Sequence, residues 1–191
     1  MNHPHLSPPP SRGRMKEGGK EVHMANEELL AGLKTALQTE MNGVEFYRLA
    51  AEKTGDPKGR EVFKTLANDE AHHYIELKKH YEALLKTGKW LPKFDFGNPT
   101  DLSGASPIFS DDFKQRIKDR HFEMSALSIG ALLETNSIDY YRQIKEKSGA
   151  PEIKKFFAEL QQWEERHLDA IVRQIDLLKE EFWQNAHWAP Y

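Results

Sequence analysis

Six residues of this chain have the types and the spacing to hold two metal ions: Glu40, Glu70, His73, Glu134, Glu164 and His167. Glu70 and His73 form a Glu-x-x-His pair, and Glu164 and His167 repeat it. Residues three positions apart share one face of a helix, so the carboxylate and the imidazole of each pair can reach the same ion. A donor set rich in oxygen, with two imidazoles, suits iron or manganese, and zinc also accepts it.

Glu40 and Glu134 precede these pairs, each by 30 residues. The positions one and two helical turns from Glu40 are Leu33, Leu37, Val44 and Tyr47. The same positions around Glu134 are Leu127, Ala131, Ile138 and Tyr141. Both glutamates therefore face the core, where an unpaired carboxylate costs several kcal/mol. Two divalent ions would balance the four carboxylates of the six-residue set, with both imidazoles neutral.

Tyr47 and Tyr141 lie two turns from Glu40 and Glu134, respectively. Their hydroxyl groups could bind a facing carboxylate and so support the metal ligands. They could equally be core tyrosines whose hydroxyls bind water or the backbone. We predict no catalytic residue beyond the metal ligands themselves.

An internal repeat links the two halves of the ligand set. Residues 40–77 and 134–171 align without a gap, and twelve of the 38 aligned pairs are identical. One Glu-x-x-His is weak evidence, but here both copies share the pair, the preceding glutamate and the turn between them. The chain is therefore interpreted as two copies of one helical hairpin.

Helical periodicity, with Gly-x-Pro turns at residues 55–57 and 149–151, predicts four long helices. Their predicted bounds are 27–54, with Asn26 as the cap, then 58–86, 122–148 and 152–179. A crossover at 88–121, with a short helix from Ser110, would run the length of the bundle. Two hairpins joined in this way predict an all-α, ferritin-like four-helix bundle over residues 25–181. Residues 1–24 are predicted to be a disordered tail, and residues 182–191 a C-terminal tail.

Composition excludes several classes of protein. The chain contains no cysteine, which excludes disulfides, thiolate catalysis and cysteine-ligated iron centres within it. The net charge is −3 and no basic stripe occurs, so we expect no nucleic-acid partner. No apolar stretch approaches the ~18–20 residues of a membrane span, and the N-terminus lacks the apolar core of a signal peptide. We therefore expect a cytoplasmic protein.

The segments 36–47 and 68–73, repeated as 131–141 and 163–167, resemble the ligand helices of the rubrerythrin-like branch of the ferritin-like superfamily. The resemblance covers about residues 25–180. It implies that two iron ions, or manganese, are bridged by Glu70 and Glu164. It also implies that Glu40 and Glu134 are terminal ligands, that each histidine binds one ion, and that the protein is a homodimer.

Two departures separate this chain from full rubrerythrins. The cysteines of a rubredoxin domain are absent, so electrons would come from a separate carrier such as a rubredoxin or a ferredoxin. Ser137 replaces the extra glutamate associated with peroxidase activity. The resemblance favours an oxidoreductase that reduces hydrogen peroxide or dioxygen. The alternatives are a ferritin-type ferroxidase or iron-binding protein, and a metal-holding bundle without turnover. Manganese catalase and oxygenase chemistry also fit the ligand set.

Overall fold

Four long helices make up most of the computed structural model, which describes residues 17–98 and 121–185. They are α1 (Glu17–Lys53), α2 (Pro57–Thr87), α3 (His121–Lys147) and α4 (Pro151–Asn185). No strand occurs in these two ranges. α1 packs along α2, α3 packs along α4, and the two hairpins meet chiefly through α1 and α3. The predicted all-α bundle of the ferritin-like kind is confirmed.

The turn of the first hairpin is set by local chemistry. The side chain of Asp56 accepts a hydrogen bond from the backbone N–H of Gly59 at 2.7 Å, which caps α2, and Pro57 opens the helix. At the other end, Gly88 adopts a φ of 68°, and its N–H donates to the carbonyl of Leu84 at 2.8 Å. Glycine takes this left-handed conformation at no steric cost, so α2 ends there.

The start of the first helix was predicted wrongly. α1 begins at Glu17, ten residues before the predicted start, so residues 17–24 are helical and not part of a disordered tail. Residues 20–25 contain no proline or glycine, and an established helix gains one hydrogen bond for each residue added. Asn26 is therefore inside α1 and does not cap it. Its Nδ2 donates instead to the carbonyl of Gly88 at 3.5 Å. Residues 1–16 lie outside the described residues.

The predicted end of α4 was also wrong, because the helix is longer than predicted. α4 continues to Asn185, past the predicted end at Lys179, so residues 182–185 belong to the helix and not to a tail. Residues 180–185 contain no helix breaker, which lets the helix propagate. The predicted bounds of α2 and α3 agree with the structure to within one residue. The predicted short helix at Ser110 lies outside the described residues, as does most of the crossover.

Two apolar clusters fill the bundle, one on either side of the glutamate layer. The first joins the later part of α1 to the start of α2, and its largest members are Tyr47 and Phe63. The second lies toward the other end of the bundle and includes Tyr141, Phe156 and Phe157. Burying one such aromatic side chain contributes about 1.5–3 kcal/mol. The glutamates thus lie midway along the bundle, between two clusters of buried apolar residues.

The described start of the crossover, residues 88–98, packs against the bundle beside His73. The ring of Phe96 is only 5% exposed and lies 5.6 Å from the ring of His73. The ring of His80 lies 4.2 Å from that of Trp90 and 4.5 Å from that of Phe156, and these two rings also contact each other at 5.2 Å. Burial lowers the pKa of His80 to about 4, so this histidine is a neutral core residue. The aromatic residues of this segment therefore close one side of the bundle.

Among the residues the structure describes, no helix is both long enough and apolar enough to cross a membrane.

Candidate metal centre

The structure brings all six residues of the predicted ligand set together inside the bundle. α1 and α3 each contribute one glutamate, and α2 and α4 each contribute one Glu-x-x-His pair. None of the six is more than 4% exposed. The antiparallel hairpins cause this convergence, because each tight turn lies about midway between a glutamate and the pair that follows it. The set is Glu40, Glu70, His73, Glu134, Glu164 and His167.

The first candidate position is formed by Glu40, Glu70, His73 and Glu164, whose ligand atoms all lie within 4.8 Å of one another. Nδ1 of His73 lies 3.1 Å from Oε1 of Glu164 and 3.3 Å from Oε2 of Glu40. The same nitrogen lies 3.9 Å from Oε2 of Glu70. Four donors from three helices therefore face one point.

The second candidate position is formed by Glu70, Glu134, Glu164 and His167, again with ligand atoms within 4.8 Å. Nδ1 of His167 lies 3.2 Å from Oε1 of Glu70 and 3.5 Å from Oε2 of Glu164. It lies 3.8 Å from Oε2 of Glu134. Glu70 and Glu164 belong to both positions and present one oxygen to each histidine. This is the arrangement that two adjacent ions with two shared carboxylates require.

Several donor atoms of the cluster have no hydrogen-bond partner among the described residues. The buried atoms without a hydrogen-bond partner among the described residues include Glu40 Oε2, Glu70 Oε1, both Glu164 carboxylate oxygens, His73 Nδ1 and His167 Nδ1. Buried polar atoms are rarely left in this state, because each costs free energy unless something binds it. Two divalent cations would bind these atoms and neutralise the four carboxylates. The residues present therefore fit a two-metal centre.

The pKa shifts of these residues also indicate that the four buried carboxylates are stabilised by nearby positive charge. Burial, reinforced by Glu164, raises the pKa of Glu70, and burial raises the pKa of Glu134 to about 8. Burial alone would lower the pKa of His73, but Glu164 and other close carboxylates outweigh it and raise the pKa to about 9. The pKa of Glu164 is lowered, because His73 and His167 outweigh its burial. Without metal, protons must supply the charge that the ions would provide.

Tyr47 and Tyr141 connect the two hairpins at the centre. The hydroxyl of Tyr47 donates to Oε1 of Glu134, and the hydroxyl of Tyr141 donates to Oε1 of Glu40. Both side chains are buried, and burial together with the nearby carboxylates raises both pKa values well above the usual value, so the hydroxyls keep their protons. Of the two readings left open by the sequence, the structure selects the bond to a facing carboxylate. Each tyrosine therefore donates a hydrogen bond to a glutamate of the opposite hairpin.

Sequence reasoning missed two residues of the centre. Asp69, 8% exposed, places Oδ2 3.4 Å from Nε2 of His167. The repeat concealed it, because the aligned position is Trp163. Gly43 was also overlooked: a Cβ there would lie 3.1 Å from Cγ and Oε2 of Glu70. Its place one turn after Glu40 on the inner face was the available signal.

Comparison with protein-family models gives a match to Rubrerythrin over residues 15–88, which covers the first helical hairpin. Comparisons with curated proteins and with solved structures gave no match. The matched segment contains Glu40, Glu70 and His73, and the second hairpin repeats the same pattern. The resemblance predicted from the sequence is confirmed over this segment. The first hairpin is therefore similar to the Rubrerythrin family, and it forms part of an all-α bundle of the ferritin-like kind.

Proposed function

We propose that this protein is a two-metal oxidoreductase that reduces hydrogen peroxide or dioxygen with electrons from a separate carrier. The observation that carries the proposal is the pair of overlapping ligand groups that share Glu70 and Glu164. A reduced pair of iron or manganese ions, when bound, supplies the two electrons that convert one peroxide and two protons to two waters. Six protein ligands do not fill two six-coordinate ions, which leaves room for the oxidant.

The residues around the candidate ligands keep the two halves of the centre aligned. Glu70 and Glu164 belong to both ligand groups, so each would contribute one oxygen to each metal position. The hydroxyls of Tyr47 and Tyr141 orient the terminal glutamates, so these carboxylates keep one oxygen free to face an ion. Buried aromatic rings lie on both sides of the centre. Apolar surroundings of this kind strengthen the electrostatic contacts between buried side chains.

A small pocket supports a small oxidant as substrate. It lies between α1 and α3 and has a volume of about 170 Å³. Ligand pockets for larger organic molecules typically have volumes of about 300–1,000 Å³. The pocket is thus suited to peroxide or dioxygen and is too small for most organic substrates of oxygenases. Its lining includes Asn42, Gly43, Glu70, Glu134, Asn136 and Ser137.

The reaction is tested by rapid mixing. The protein is loaded anaerobically with two ferrous ions per chain and mixed with hydrogen peroxide, and iron oxidation is followed by absorbance. We expect oxidation much faster than that of free ferrous iron under the same conditions. An equal rate would refute the redox proposal, and uptake of many irons per chain would favour iron storage instead.

Two pairs of variants link the reaction to the site. Glu70→Gln should abolish both stable metal binding and the fast reaction, whereas Glu76→Gln should leave both intact. Glu76 is a suitable control because it is also buried on α2 but pairs with Lys79.

The second pair tests access. Ser137→Leu should slow the peroxide reaction without changing the metal content, because Ser137 lines the pocket. Ser128→Leu is the control. Both serines lie on α3 and donate to a backbone carbonyl four residues earlier, but Ser128 is exposed and does not line this pocket. Equal rates in the two variants would contradict access through this pocket.

A further inference from the structure

The two histidines of the centre differ at the nitrogen that faces away from the carboxylates. Nε2 of His167 lies 3.4 Å from Oδ2 of Asp69, a buried carboxylate oxygen with no hydrogen-bond partner among the described residues. Among the described residues, Nε2 of His73 has neither such an acid beside it nor a hydrogen-bond partner. Its ring is flanked instead by Trp163 at 5.2 Å and Phe96 at 5.6 Å. The inner faces of the site are alike, but the outer faces are not.

The repeat makes this difference easy to locate. Positions 69 and 163 correspond in the two hairpins, and each side chain lies beside the histidine of the other hairpin. One hairpin carries an aspartate at this position and the other a tryptophan. The surrounding candidate ligands are identical in type, so the difference between Asp69 and Trp163 is a departure from pseudo-symmetry next to the donor atoms.

We propose that the two metal positions are unequal, and that the position at His167 holds its ion more tightly because Asp69 anchors this imidazole. A carboxylate that accepts the outer N–H fixes the tautomer, leaves Nδ1 free for the metal and makes the imidazole a stronger donor. No described residue gives His73 this support, and its outer nitrogen lies among aromatic rings. Asp69 is thus a positioning residue, and metal loads first at the position of His167. This inference rests on the metal binding proposed above.

The first experiment is a calorimetric titration of the metal-free full chain with Mn²⁺, which binds such donors without being oxidised by air on mixing. The native chain should bind two ions in two distinguishable steps. Asp69→Asn should weaken one step by about 10–100-fold, the usual effect of losing such a partner, and leave the other within about threefold. Glu76→Gln should change neither step, since its carboxylate is equally buried on α2 but pairs with Lys79.

The second experiment assigns the weakened step to a position. Glu40→Ala disables the position at His73, and Glu134→Ala disables the position at His167. Asp69→Asn should therefore weaken the remaining step about 10–100-fold in the Glu40→Ala chain and have little effect in the Glu134→Ala chain. Equal effects in the two backgrounds would overturn the proposal.

The remaining readouts separate positioning from a general structural role. Asp69→Asn keeps an acceptor oxygen, so it should retain more Mn²⁺ affinity than Asp69→Leu, while the metal-free Tm of the two variants need not follow this order. Two equal Mn²⁺ steps in the native chain, or a parallel loss in both steps on changing Asp69, would overturn the inequality alone. Failure of the native chain to bind Mn²⁺, Fe²⁺ or Co²⁺ would overturn the proposed function as well.

Discussion

The hydrogen bond from Tyr141 to Glu40 offers a sharp test of how the centre is held together. Tyr141 is fully buried on α3, and its hydroxyl donates to a carboxylate oxygen of α1. The neighbouring residue, Tyr140, also reaches from α3 to α1, but its hydroxyl donates to the uncharged backbone carbonyl of Gly32 at 2.9 Å. Tyr141→Phe and Tyr140→Phe therefore remove the same atom from adjacent residues. They differ in the charge of the partner and in its place in the site.

The expected magnitudes follow from this difference. A carboxylate that binds a metal ion must be ionised, and a hydrogen bond to a charged group contributes about 1.5–3 kcal/mol, against about 0.5–1.5 kcal/mol for a neutral one. For a chain of this size, 1 kcal/mol shifts the Tm by about 2–4 °C. Tyr141→Phe should thus lower the Tm by about 3–12 °C, and Tyr140→Phe by about 1–6 °C.

The assay is thermal unfolding of the Mn²⁺-loaded proteins, followed by circular dichroism, with a Mn²⁺ titration of each variant. Tyr141→Phe should also weaken Mn²⁺ binding, because a terminal carboxylate loses the group that orients it. Tyr140→Phe should bind Mn²⁺ like the native chain. Equal Tm values and equal affinities in the two variants would refute the reasoning that Tyr141 supports a metal ligand.

Three further predictions concern pH, packing and metal removal. Folding raises the pKa of Glu134 from 4.5 to about 8, so its contribution to the stability of the metal-free protein is complete below pH 4.5 and is lost as pH rises through about 8. Folding raises the pKa of His73 from 6.5 to about 9, so its contribution is complete below pH 6.5 and is lost as pH rises through about 9. The Tm of metal-free protein should therefore fall between about pH 5 and 9, and Mn²⁺ affinity should rise with pH; a Tm that rises over this range would contradict both assignments. Gly43→Ala should weaken Mn²⁺ binding, because its Cβ would lie only 3.1 Å from Glu70. Gly32→Ala, whose Cβ would make ordinary contacts from 3.6 Å, should raise the free energy of unfolding by about 0.5–1 kcal/mol. Mn²⁺ titration and urea unfolding of both variants measure these effects. At a free metal concentration of 1,000 times Kd, binding adds about 4 kcal/mol per site to the free energy of unfolding. Chelation should remove this contribution and lower the Tm, measured by calorimetry, by about 8–16 °C per site. An unchanged Tm would exclude a metal centre in the native fold.

The sequence by itself determined the architecture and the composition of the candidate site. Glu-x-x-His spacing, apolar neighbours around Glu40 and Glu134, and the gapless repeat were sufficient, because helical periodicity fixes which side chains share a face. The turn chemistry of Asp56, Pro57 and Gly88 is local, and it placed the bounds of α2 to within one residue. The helix end at Asn185 could not be located, because no breaker marks it, and the start at Glu17 could not be located, because the helix includes Gly18 and Gly19.

Only the tertiary structure decided which residues meet across the hairpins. Tyr47 could have bonded water or the backbone, and packing α1 against α3 is what brings its hydroxyl to Glu134. The contact of Asp69 with His167 depends on the distance between α2 and α4, and no spacing within one helix encodes it. The repeat even concealed it, because alignment pairs this aspartate with a tryptophan. Helix periodicity sets the direction of a side chain, whereas the partner it reaches depends on how the helices pack.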